Sequence, residues 1–197
     1  METFLSNWIF WTILSYLSGS VCFAVLYGKL NGINITEVGS KSATSTNLSR
    51  ELGFFWGLAS AVSDVFKAFL PVLLAQSYIG GWQLMLVAIA PTIGHIFPPW
   101  YKGGKGGATF IGAGLALVNF YFFIPLGLFF LIIYISKKTS IANLVHPLIF
   151  LACAFLFGWG IEVVIFGVIE MILLWYGLRE NIGRILSGSE PDLTKKL

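Results

Sequence analysis

A chain of 197 residues is long enough for one domain, and its composition says in which medium that domain lives. Hydrophobic residues make up 57%, charged residues only 11%, and mean hydropathy is +0.84, whereas a soluble domain carries about 25% charged residues; an ordinary water-soluble globule is excluded. The formal net charge of +3 says little by its total and much by its distribution, and no nucleic-acid partner is expected.

The N-terminal apolar run has no basic flank, because Met1-Glu2-Thr3 is acidic, so no cleaved signal peptide is expected. A first membrane span is expected from about Phe4 to Leu30, followed by a polar stretch from Asn31 to Leu52. Gly53 to about Ser77 reads as a second span, with Asp64 and Lys67 in its first half and Pro71 in its middle. The turn Gly80-Gly81 leads to a third span, Trp82 to about Phe97, and then to a glycine-lysine loop within Gly94–Thr109. Ala108 to Ser136 is an apolar run of 29 residues containing Gly112, Gly114, Asn119, Pro125 and Gly127, and it ends at Lys137-Lys138. Ser140 to Phe157 and Ile161 to Gly177 are further spans, joined by Gly158-Trp159-Gly160, and the tail from Leu178 to Leu197 is polar.

A span needs about 20 apolar residues, and several of these runs qualify. The ~10-residue alternating segments of a membrane β-barrel are absent. The expected fold class is therefore all-α: a polytopic integral membrane protein forming one domain over 1–197, with polar motif loops at about 31–52, 98–107 and 178–197. Positive charge sets the orientation. Apart from Lys67, the basic residues cluster at Lys29 to Arg50, Lys102 and Lys105, Lys137 and Lys138, Arg179 and Arg184, and Lys195 and Lys196. If all of these are cytoplasmic, the stretch between Lys105 and Lys138 crosses twice and turns near Asn119. That arrangement has seven transmembrane helices, some short or broken, with the N-terminus outside and the C-terminus cytoplasmic. A single long span over the same stretch is the rival.

The chemistry concentrates in the polar loops. Successive backbone amides in a glycine-rich loop form a concavity for anions, and Lys102 and Lys105 add charge to Gly103, Gly104 and Gly106. The loop is not a Walker A sequence, because Gly106 and not Ser or Thr follows Lys105. Between spans one and two, Val38–Gly53 carries seven hydroxyl or amide side chains with Lys41 and Arg50, a composition suited to phosphate but equally to an ordinary polar loop. Asn47 is a ligand candidate or a helix cap. Asp64 and Lys67 are three apart, so they share a helix face, and inside a span they are either functional or a mutually neutralising pair. His95 reads either as a general base or phosphate donor or as a satisfied structural histidine, and His146, before Pro147, reads as structural. Cys22 and Cys153 read as small buried hydrophobes, and no residue cluster indicates a metal. In the tail, Ile182, Ile185 and Leu186 give an amphipathic turn on the membrane, while Arg179 and Asn181 can reach an anion.

These segments, in this order, resemble the bacterial membrane glycerol-3-phosphate acyltransferases that use acyl phosphate as donor. The resemblance rests on Gly19-Ser20 with Lys29-Leu30-Asn31-Gly32-Ile33 and Val38-Gly39-Ser40…Thr46-Asn47…Arg50…Leu52-Gly53. It rests further on Gly94-His95 with Lys102-Gly103-Gly104-Lys105-Gly106 and Ala108-Thr109, and on Arg179-Glu180-Asn181-Ile182…Arg184-Ile185-Leu186-Ser187-Gly188 with Glu190-Pro191. It implies transfer of an acyl group from acyl phosphate to the 1-hydroxyl of glycerol 3-phosphate, giving lysophosphatidic acid for phospholipid synthesis. It further implies a monomer among membrane lipids of the bacterial plasma membrane, a cytoplasm-facing site, and no cofactor, metal or covalent acyl-enzyme. Under that resemblance His95, Lys105 and Asn181 are catalytic. Ser40, Thr46, Asn47, Arg50, Lys102, Gly103, Gly104, Gly106 and Arg179 bind substrate, with Asp64 and Lys67 as the polar pair in the membrane. Two places depart from the family pattern: Lys41–Ser45 replaces two glycines and an asparagine, and Leu178 stands where the family has histidine. The alternative implied there is a paralogue that binds phosphorylated lipid precursors or uses another acceptor.

Overall fold

Every regular element among the described residues, 2–193 of the computed structural model, is helical. In chain order these are α1 (Glu2–Leu5), α2 (Trp8–Ser20), α3 (Phe23–Leu30), α4 (Ser45–Leu52), α5 (Phe54–Ala75), α6 (Gly81–Ile96), α7 (Gly107–Val118), α8 (Phe123–Ser136), α9 (Thr139–Leu156), α10 (Ile161–Gly177) and α11 (Arg179–Leu186), with a 3-10 turn at Asn119–Phe122. Four runs are long and apolar enough to cross a membrane: Trp8–Leu30, Phe54–Ala75, Gly107–Ser136 and Thr139–Leu156. The pair α10 and α11, bent by 66°, makes a fifth if taken together, and α6 is a shorter apolar helix. The outward faces carry exposed Phe54, Phe55, Phe120, Phe155 and Leu156, an apolar exterior that suits lipid.

Two of the long runs are not single rods. The first breaks after Ser20, because Val21 and Cys22 take extended backbone. The break takes the Val21 carbonyl out of the helical hydrogen-bond series, and the Lys67 ammonium fills the vacancy at 2.5 Å. The run Gly107–Ser136 counts as one stretch of 30 residues by length and hydropathy, but its rings tell otherwise. On a continuous helix Phe110 and Phe129 would stand about 28 Å apart. Both lie against His146, with ring centroids 5.0 and 4.9 Å away. The chain therefore doubles back at Asn119–Phe122, where Asn119 takes φ +51, the place the charge pattern indicated.

Lipid offers no hydrophobic drive between helices, so close backbone approach matters more than in water. At the α2–α6 contact a Cβ on Gly19 would lie 2.2 Å from the Pro91 carbonyl oxygen, and one on Gly94 2.2 Å from that of Tyr16. This tight seam buries most of α6 and carries His95, in its last turn, into the middle of the polar end of the bundle. At the other side, Phe110, Phe122 and Phe129 close around His146, and Phe150 and Phe166 pack on Phe110 to extend this aromatic core.

Candidate active site

The α6–α7 loop is pinned to the end of α2. Tyr101 Oη donates to the Ser20 carbonyl and accepts from the Cys22 amide, both at 2.5 Å, and Tyr16 Oη donates to the Phe97 carbonyl at 3.0 Å. Within the loop, Gly104 N–H donates back to the His95 carbonyl at 2.9 Å. A Cβ on Gly104 would lie 2.2 Å from His95 Nε2 and 2.7 Å from the Ala43 carbonyl oxygen, so only glycine lets the backbone pass here. The expectation that Gly104 offers its amide to a ligand is thereby corrected: that amide is already engaged, and Gly104 serves as the spacer over the imidazole. Further amides for an anion are those of the first turn of α7, residues 107–109. They precede the first helical bond, from Phe110 N–H to the Gly106 carbonyl at 2.9 Å. Gly106, at φ +89, turns the chain into that helix start, a natural seat for negative charge.

Lys105 is the hub. Its Nζ donates to Asn181 Oδ1 at 2.6 Å, Asn181 Nδ2 donates to Glu190 Oε1 at 2.6 Å, and Arg184 Nε donates to Glu190 Oε2 at 2.7 Å. The sharp bend between α10 and α11 carries Asn181 back over the loop to make this chain of contacts. Burial pushes the Lys105 ammonium down to about 8, aided by Arg184 and opposed by Glu190. Burial pushes the Glu190 carboxyl up, but the nearby Ser140 hydroxyl and the hydrogen bonds from Arg184 and Asn181 outweigh it and hold the group below the usual carboxylate range. Arg184 and Glu190 stood in the sequence as motif members without a role. Their signal was an opposite-charge pair six residues apart, and only the folded turn between them brings it together.

The loop ahead of α4 is built differently from expectation. Thr44, not Asn47, caps α4, accepting from the Asn47 amide at 3.2 Å. Asn47 is fully buried: its Nδ2 donates to the carbonyls of Ile35, Val38 and Ser42, and its Oδ1 accepts from Ser40 N–H. All its capacity goes into shaping the loop, which corrects its expected role as a substrate ligand. Arg50 is buried and donates to the carbonyls of Pro191, Asp192 and Leu193, so it clasps the tail over the groove, where Lys138 also pairs with Asp192 at 2.5 Å. Thr46 Oγ1 lies 3.2 Å from Thr139 Oγ1.

Two cavities meet at Lys105, which lines both. The smaller, about 390 Å³, gathers Lys102, Gly103, Gly104 and Arg179. Arg179 is exposed there and lies over the Tyr176 ring at 4.4 Å. The larger, about 510 Å³, gathers Ser40, Thr46 and Arg50 from one side, His95 and Asp64 from beneath, and Gly106 and Asn181 from the other. It continues as an apolar groove along α5, α7 and α8 past Leu58, Phe66, Leu115, Phe129 and Phe130. Behind its wall Lys67 Nζ meets Asp64 Oδ1 at 2.7 Å and His95 Nδ1 at 2.8 Å. Leu178, 2% exposed, faces the same cavity.

Residues 9–188 match the family model described as glycerol-3-phosphate acyltransferase. The chain belongs to the glycerol-3-phosphate acyltransferase family. A relative of that name from Maridesulfovibrio salexigens is 36% identical over 193 residues, covering 96% of this chain and 98% of the relative. One from Aquifex aeolicus is 34% identical over 190 residues, covering 92% and 97%. Among solved structures, the crystal structure of PlsY (YgiH), an integral membrane glycerol 3-phosphate acyltransferase, matches in its glycerol 3-phosphate form with TM-score 0.89. It is 30% identical and the match covers 94% of each chain; the lysophosphatidic acid form of the same protein matches with TM-score 0.87. The match to this acyltransferase family extends over nearly the whole chain, from α2 to α11.

Proposed function

We propose that this acyltransferase moves a fatty acyl group from acyl phosphate to the 1-hydroxyl of glycerol 3-phosphate, forming lysophosphatidic acid and phosphate. The observation that carries this reading is the larger cavity itself, in which an apolar groove runs into a cationic end at Arg50, Lys105 and the start of α7. A molecule with an acyl tail and a phosphate head matches both halves. The hydroxyl oxygen forms the new ester bond to the carbonyl carbon as the carbonyl–phosphate bond breaks, and the hydroxyl proton leaves with the phosphate or the medium. A mixed anhydride is already activated, so holding two anions in register and stabilising developing charge supply much of the catalysis. Lys105 and Asn181 face the reacting groups, His95 lies beneath them, and Ser40, Thr46, Arg50, Lys102, Gly103, Gly106 and Arg179 surround the phosphates.

In this reading the domain is a monomer surrounded by membrane lipids. It has seven crossings, the N-terminus outside, and the C-terminus and site cytoplasmic in the bacterial plasma membrane. The doubling back at Asn119–Phe122 supports the extra crossing. Thiol labelling of single cysteines placed at Tyr121 and Lys138 tests it: accessibility from the same side of the membrane at both overturns it. The catalytic reading is tested by incubating purified protein with acyl phosphate and labelled glycerol 3-phosphate. Lysophosphatidic acid is expected, and no product above the Lys105→Ala background overturns it. Buried Leu178 on the cavity wall favours a second reading, in which the acceptor end differs. A panel of polyol phosphates separates the two, with higher turnover of another acceptor as the deciding result.

A further inference from the structure

The Lys67 ammonium has three N–H bonds and three acceptors: the Val21 carbonyl at 2.5 Å, Asp64 Oδ1 at 2.7 Å and His95 Nδ1 at 2.8 Å. The Lys67 and Asp64 side chains are only 4% and 2% exposed, so these partners meet in the interior of the protein. The match of donors to acceptors fixes every proton in the cluster. An imidazolium at His95 would point Nδ1–H at an ammonium, placing two donors and two positive charges 2.8 Å apart. A neutral Lys67 would leave the Asp64 carboxylate buried beside it without a countercharge. What remains is a charged lysine donating to Nδ1 of a neutral ring whose own proton sits on Nε2. That nitrogen lies under Gly104, on the ring that lines the larger cavity.

We infer that Lys67 is a positioning residue that locks His95 as an Nε2–H hydrogen-bond donor, so that His95 serves the reaction as a donor to developing negative charge and not as a general base. The inference rests on the acyl-transfer reading for its kinetic arm and on geometry alone for its spectroscopic arm. The helix break at Val21–Cys22 belongs to the device, because an unbroken α2–α3 helix would have kept the Val21 carbonyl for itself.

The test uses the full chain in lipid nanodiscs with 15N-labelled histidine, the His95 signals being assigned by their loss in His95→Gln. The expected wild-type spectrum at neutral pH is that of a neutral ring with the proton on Nε2; a proton on Nδ1, or an imidazolium, overturns the inference. Kinetically, His95→Gln keeps an N–H donor and should stay within about tenfold of wild-type kcat, while His95→Phe should lose about 100-fold. Equal large losses in both, as for a missing base, overturn it. Lys67→Met should release the tautomer and lower kcat about tenfold with little change in KM, and Lys67→Arg should restore part of both. Because Lys67→Met leaves Asp64 unpaired, the Asp64→Asn, Lys67→Met double variant is measured beside it. An unchanged tautomer and kcat in a folded double variant overturns the role of Lys67. A wild-type protein without turnover defeats the acyl-transfer reading and leaves the tautomer measurement to decide this one.

Discussion

The two histidines of this chain are both buried, and they sit in regions that use burial in opposite ways. His95 has Lys67 on Nδ1, Gly104 over Nε2 and a cavity in front of it. His146 is fully enclosed by Phe110, Phe122 and Phe129, and neither ring nitrogen has a hydrogen-bond partner. Around His95 the polar groups are matched donor to acceptor, so the region is specified by hydrogen bonds and tolerates little displacement. Around His146 the ring is used as an aromatic shape. Burial of a polar residue therefore says nothing about function until its partners are counted.

The hardest way to break the polar region is to remove its hub. Lys105→Ala deletes the cation shared by both cavities, and kcat/KM for acyl transfer should fall on the order of 10³-fold in a lysophosphatidic acid assay. Gly104→Ala is next: its new Cβ must push His95 or the Ala43 carbonyl aside, and kcat should drop about 100-fold with the protein still folded by circular dichroism. A smaller effect follows from protonation. Lys105 titrates near 8, so activity should fall toward about tenfold per pH unit above that value, and Lys105→Arg should move the limb upward. The sign for stability is the reverse. The unfolded lysine titrates at its ordinary 10.5, so between about 8 and 10.5 the unfolded chain binds more protons and thermal stability gains from this group as pH rises. The smallest effect on activity belongs to the aromatic region. His146→Phe keeps the ring and removes two unpartnered nitrogens; kcat should be unchanged and unfolding in detergent should show a gain of about 1 kcal/mol. A loss of activity there would erase the contrast between the two regions.

How far the sequence could be read follows the range of the interactions. The helical membrane class came from apolar run length, and the turn near Asn119 from the positions of Lys105 and Lys138, because both depend on local composition. The glycine-lysine loop stands out in the sequence as a candidate anion seat, since glycine and lysine act within a few residues of each other. The uses of single residues inside the loops were not legible. Asn47 and Gly104 look like ligand groups in a linear text, and only the fold shows that Ile35, Val38 and His95 have already taken their hydrogen bonds. The Asp64–Lys67 pair was visible at its spacing of three, but its third member, His95, lies on another helix, and nothing along the chain connects them.

The position of Lys105 on the wall between two chambers has a consequence for traffic through the enzyme. A single movable proton serves both sides, so a dianion arriving in either chamber tightens the lysine's hold on that proton and secures the charged form that the next arrival needs. Above about pH 8 the two substrates then assist each other in binding as well as in reaction. In that range saturating one should lower the apparent KM of the other, and the alkaline limit of the loaded enzyme should lie above that of the empty one.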